Sequence, residues 1–205
     1  MKQLNFGNDN ANPSVHIFGR ERTSMDYLVT LPSEIGPPEN YSQLIALLAF
    51  AEDGDTITIE INNGGGHVYT ALQIINAMME SKAHITTILN TEAHSAASLI
   101  FLAGHSHGVG KFSSMLCHEG QSGDVGKPSD LRKRLEHYNS EIERILRDAY
   151  EGFLTDEEID KILNGLELLL NDEQIVERLQ KREEYFNAKY PEAEDEETPN
   201  EGEDE

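Results

Sequence analysis

The sequence predicts an α/β fold with a mostly parallel sheet, and three observations carry that expectation. The run Thr56-Ile57-Thr58-Ile59-Glu60-Ile61-Asn62 alternates strictly between apolar and polar, the signature of a half-buried strand. The triple glycine Gly64-Gly65-Gly66 follows and opens a helical run over 68–79, with Leu72, Ile75 and Met78 on one face. Residues 85–89 are short and β-branched, so strand, loop, helix and strand succeed one another as in a βαβ crossover. Chemistry in such sheets gathers at the C-terminal ends of the strands.

The remaining elements follow in order. Residues 1–25 are polar and Asn-rich and read as a flexible arm, with a short strand over 15–18. Residues 27–31 form a strand candidate, and the Gly- and Pro-containing stretch 32–38 a loop. Asn40 is positioned to cap a helix over 41–52, and Asp53-Gly54-Asp55 is a turn. Residues 96–103 are apolar and end at Gly104, which predicts a buried helix with a glycine stop. Strands are expected over 107–111 and 114–118, then a Gly-rich loop over 119–127. Ser129 is the expected N-cap of a long helix reaching about residue 151, with Leu131, Leu135, Tyr138, Ile142, Ile145, Leu146 and Ala149 at spacings of three and four. Thr155-Asp156-Glu157-Glu158 is a capping box for a helix to about 163. A strand over 166–170 and a charged helix over 172–190 complete the domain, 26–190, and the composition of 191–205 predicts a disordered acidic tail.

With 205 residues one domain is expected. The formal net charge is −22, and nine acids without a base lie in 191–205, so the body is acidic as well. Such a surface argues against nucleic acid and against anionic membranes as partners. The single cysteine, Cys117, forbids an intrachain disulfide and fits a reducing, cytoplasmic setting. It reads as a core residue rather than a second nucleophile. The histidines lack ligand spacing, so neither a metal nor another cofactor is expected. No apolar run is long enough for a signal peptide or a membrane span.

Ser95 lies where the strand at 84–90 gives way to the buried helix. There its hydroxyl would be lifted clear of the sheet, beside free helical N–H groups. That is the setting of an acyl-transfer nucleophile, although a plain N-cap serine would occupy the same place. A serine nucleophile needs a base. His94 abuts Ser95 and diverges from it, and His105 and His107 lie beyond the helix end, which leaves His118 at the end of the 114–117 strand. Carboxylates are too abundant for composition to choose a third member. The Gly64-Gly65-Gly66 loop reads equally as an oxyanion cradle and as a tight turn; it is neither a dinucleotide fingerprint nor a phosphate-cradling loop.

These residues carry a resemblance. Ile61-Asn62-Asn63-Gly64-Gly65-Gly66-His67-Val68 resembles the Ile-Asn-Ser-Pro-Gly-Gly-x-Val motif of the Clp protease proteolytic subunit family. The stretch from Glu92 to Gly104 is similar to that family's nucleophile helix, and Met115-Leu116-Cys117-His118-Glu119 to its catalytic-histidine strand, in the same order over roughly 26–175. The resemblance implies the Clp protease/crotonase-like fold of repeated β-β-α units with a projecting handle helix at about 129–151. It implies a serine endopeptidase with Ser95 as nucleophile, His118 as base and the amides of Gly66 and Ala96 as oxyanion donors. Asn63, Gly64 and Gly65 would flank the substrate. The implied partners are further copies of the chain in a heptameric ring or double ring, polypeptide substrates, and an ATP-driven unfoldase.

Three departures stand out. Asn63-Gly64 replaces Ser-Pro, which would loosen the substrate-flanking loop. Glu167 lies nearest the place of the family's triad aspartate. The family's closing Gly-Leu-Ile-Asp strand is absent, and the chain continues as helix instead. These departures suit an atypical or virus-encoded member. They leave as alternatives a phage capsid-maturation protease acting without an ATPase, a catalytically inactive ring subunit and, last, a crotonase-like acyl-CoA enzyme.

Overall fold

The alternating run becomes an inner strand of a six-stranded sheet. The computed structural model describes residues 24–121, 123 and 125–191, together with the backbone of two short antiparallel strands, β1 (Lys2–Gln3) and β2 (Phe18–Gly19). The expected arm and acidic tail lie outside the described residues apart from that strand pair, residues 24–25 and Pro191. β4 (Thr56–Asn63) runs parallel to β3 (Asp26–Thr30) on one side and to β5 (His84–His94) on the other. Ile57, Ile59, Ile61, Ile85 and Leu89 are fully buried along these strands. Each such side chain contributes about 1.5–3 kcal/mol of hydrophobic stabilisation.

Two helices make the crossovers. α1 (Ser42–Phe50) follows β3, and α2 (Val68–Glu80) joins β4 to β5. Asn40 does not cap α1: a 3-10 turn over Pro38–Tyr41 leads into it, because Pro38 pre-sets helical φ and starts the coil early.

β5 is longer than expected. Its first half pairs with β6 (Ser106–Val109) and its second with β7 (Ser114–Cys117), all in parallel. Residues 91–94 are therefore strand, because β7 supplies their ladder partners. Between β6 and β7 the chain crosses tightly over β5. A Cβ on Gly110 would lie 2.5 Å from the Asn90 carbonyl oxygen, so only glycine fits. α3 (Ala96–Leu102) leaves β5 directly, and all seven of its residues are buried.

The long helix α4 (Pro128–Ala149) is capped by Lys127 with Pro128 at its first position, so Ser129 lies inside it and is not the N-cap. Its apolar stripe splits. Ile142 and Leu146 are buried, whereas Leu135 near the start is 52% exposed. The expected capping box is present at the start of α5 (Asp156–Leu163), with both reciprocal Thr155–Glu158 bonds. β8 (Leu168–Asn171) then pairs antiparallel with β7, and Asn171 opens α6 (Asp172–Lys189) with a second capping box.

Candidate active site

Ser95 occupies the turn between β5 and α3 with φ 56° and ψ −127°, a conformation a non-glycine residue rarely adopts. Its side chain makes no capping hydrogen bond, so the reading of Ser95 as an ordinary N-cap does not hold. Such a backbone costs about 1–3 kcal/mol and persists only where its surroundings over-determine it. They do so here. The Ser95 amide donates to the Leu116 carbonyl at 2.8 Å, two residues before His118. The Ser95 carbonyl accepts from the Ser98 amide at 3.0 Å and from the Ser98 hydroxyl at 2.6 Å.

The glycine loop packs directly on this turn. Gly65 has φ 98°, and a Cβ there would come within 2.7 Å of the Ser95 Cβ. Gly66 has φ 137°, and a Cβ there would strike the Ile35 carbonyl oxygen at 2.3 Å. The loop expected to be loose is held at several points. The Gly64, Gly65 and His67 amides donate to the Ser33 carbonyl, the Asn63 Oδ1 and the Ile35 carbonyl at 2.7–2.9 Å. The Asn63 side chain is fully buried and also donates to the Pro32 carbonyl at 2.6 Å. Asn63 therefore braces the loop from beneath, while Gly64 and Gly66 line the cleft. Among the described residues, the Gly66 amide has no such backbone bond, and Ala96 stands at the first turn of α3, where amides lack intrahelical partners.

His118 directly follows β7 and lines the same cleft as Ser95, a space of about 980 Å³ whose far wall comes from α4. Its Nε2 is buried and without a hydrogen-bond partner among the described residues. Its Nδ1 lies 4.0 Å from Glu167 Oε1, on the loop before β8; the Glu167 side chain is 69% exposed. Asp172, the other acid nearby, accepts from the Phe112 amide at 2.8 Å and is engaged away from His118.

The remaining histidines divide as expected. His94 turns to Ser114, 3.0 Å from its Oγ, and towards Glu92. His107 packs edge-on against Phe101, and burial, followed by the Arg182 charge, pulls its pKa down to about 4. Beyond the residues the sequence singled out, the structure adds Ser98 and Tyr150. Their hydroxyls meet at 2.7 Å in the core behind Ser95. A polar residue inside the otherwise apolar α3 was the available signal for Ser98; nothing in the α4 stripe marked the hydroxyl of Tyr150.

The class of structure is thus a mixed α/β sheet with a serine elbow between a central strand and a buried helix, faced by a histidine from the adjoining strand. Residues 21–177 match the family model "Clp protease", and the chain belongs to that family. It is similar to two proteins of Bacteroides fragilis named ATP-dependent Clp protease proteolytic subunit, one of them from strain YCH46. Each is 28% identical over 136 residues, 63% of this chain and 62% or 59% of the relative. The chain therefore spans about three fifths of the length of these curated relatives. No helix among the described residues is long and apolar enough to cross a membrane.

Proposed function

We propose that this chain is a serine endopeptidase of the Clp type, cleaving peptide bonds by acyl transfer. The observation that carries the reading is the convergence on one cleft of the positive-φ Ser95 elbow, the glycine loop packed on it, and the buried, unpartnered Nε2 of His118. Ser95 Oγ attacks the scissile carbonyl carbon as His118 Nε2 takes the hydroxyl proton. The amides of Gly66 and Ala96 receive the oxyanion. The imidazolium returns the proton to the leaving amine, and water then hydrolyses the acyl-enzyme by the same path. Glu167, near Nδ1, orients the imidazole and stabilises its charged form, a role glutamate fills in some hydrolases. The presence of Ser95, the glycine loop and His118 around one cleft favours this reading over an inactive ring subunit.

The relatives' name and the half-exposed apolar stripe of α4 support assembly into a closed ring, a heptamer or double heptamer, with the sites facing an inner chamber. Polypeptides delivered by an ATP-driven unfoldase are the substrates, in the cytoplasm. A fluorophosphonate should label Ser95 of the purified full chain, and light scattering should give a mass several times 22.9 kDa. An unlabelled Ser95 in a folded ring would overturn the peptidase reading; a monomer at all concentrations would overturn the assembly.

A further inference from the structure

The core behind Ser95 holds two hydroxyl groups from two elements: Ser98 on α3 and Tyr150 just past α4. Tyr150 is 1% exposed, and Ser98 is fully buried. Their protons can be assigned. The Ser98 hydroxyl has one hydrogen, and at 2.6 Å it faces the Ser95 carbonyl, which only accepts. The Tyr150 hydroxyl must therefore be the donor in its 2.7 Å contact with Ser98 Oγ. The chain runs one way: Tyr150 to Ser98 to the Ser95 carbonyl.

We infer that Tyr150 is a positioning residue for Ser95: its hydroxyl fixes the Ser95 backbone through Ser98. The inference rests on the peptidase reading above. The strained Ser95 backbone needs external holding, and its carbonyl is the point at which the core grips it. Burial keeps the chain in its hydrogen-donating form. It holds the Tyr150 phenol well above its ordinary 10.

The test compares Tyr150→Phe, Ser98→Ala and the double variant in the full chain, by the rate of fluorophosphonate labelling of Ser95 and by kcat and KM on a short fluorogenic peptide. Tyr150→Phe should lower both labelling and kcat by roughly 10- to 100-fold with KM little changed, since small misplacements of reacting groups cost rates of that order. The double variant should be no slower than the worse single one, because one relay is cut at two points. A purely structural tyrosine would lower the melting temperature without splitting kcat from KM. Labelling of Tyr150→Phe at the wild-type rate, or losses that multiply in the double variant, would overturn the inference. Should Tyr150→Phe fail to fold, Ser98→Ala, which puts a good helix former into α3, carries the same labelling test. Absence of labelling in the wild type would overturn the peptidase reading, a result distinct from a reactive wild type with an equally reactive Tyr150→Phe.

Discussion

Ser95 is held by its backbone, whereas Glu167 is held by almost nothing. The serine has its amide on Leu116, its carbonyl on Ser98 and a glycine pressed against its Cβ, all beside a helix with no exposed residue. The glutamate is 69% exposed, and its one ion-pair contact among the described residues is at 4.0 Å. An exposed ion pair contributes about 0–1 kcal/mol. The serine is thus built into the core, and the glutamate is an attachment at its rim. The frame around the acid is firmer than the acid itself. Arg178 of α6 makes a two-pronged contact with Glu158 of α5, at 2.6 and 3.0 Å, and also donates to the Phe153 carbonyl. The contrast predicts that damage at the elbow should cost more than damage at the carboxylate.

Ser95→Ala should have the largest effect, a loss of about 10⁶ in kcat with the fold intact. Steady-state peptide hydrolysis checks it, and near-normal turnover would remove Ser95 from the mechanism. Gly65→Ala comes next. The new methyl meets Ser95 at 2.7 Å on a backbone with φ 98°, so activity should fall by about 10²-fold and the melting temperature should drop. Full activity in that variant would mean that the loop does not set the elbow. Glu167→Gln should cost roughly 10- to 100-fold in kcat, the low end for acid–base assistance, because the carboxylate is wet. Asp172→Asn should leave kcat near wild type, since Asp172 serves the Phe112 amide. Equal losses in these two variants would erase the distinction between the acids.

The smallest effect concerns the frame. The Arg178 hydrogen bonds are the main reason the Glu158 carboxyl is held down at about 2 rather than at its ordinary 4.5. A depressed folded-state pKa adds stability that is complete above 4.5 and fades as pH falls towards 2. Glu158→Gln should therefore lower the melting temperature at neutral pH, and the gap to wild type should close across that window. A gap that stays constant with pH would assign the effect to the cap of α5 alone.

The sequence exposed the elements whose signals are local. The alternation in β4 and the Thr155–Glu158 box are each written within a few neighbouring residues, and each appears as expected. α2 forms as a helix, but its buried face carries Ala71, Ile74 and Met78, and of the expected stripe Leu72 and Ile75 are only partly buried. Asn40 and Ser129 misled because a neighbouring proline, by pre-setting φ, starts a helix as effectively as a capping side chain. The extension of β5 to His94 was hidden because its partner strand lies some twenty residues away. For the same reason the Ser98–Tyr150 contact, across 52 residues, left no trace in the spacing of either. Ser95 and His118 could be paired by topology alone, because adjoining strands deliver their C-terminal ends to one place. Asn63 could be placed in the glycine loop but not turned, and its inward side chain reverses the expected slackness.

Arg182 carries a consequence in time. Its guanidinium reaches across from α6 to the Leu102 carbonyl at 3.0 Å, sealing the far end of the helix that begins beside Ser95. A ribosome makes the N-terminal part of a chain first, so the serine emerges long before this seal and before Glu167. A nascent polypeptide halted after residue 165 would hold Ser95, Gly66 and His118 but neither Glu167 nor Arg182. It should resist fluorophosphonate where the released protein reacts, so that Ser95 stays unreactive through most of the chain's own synthesis. Full-rate labelling of the halted chain would mean instead that the elbow closes without help from the helix made last.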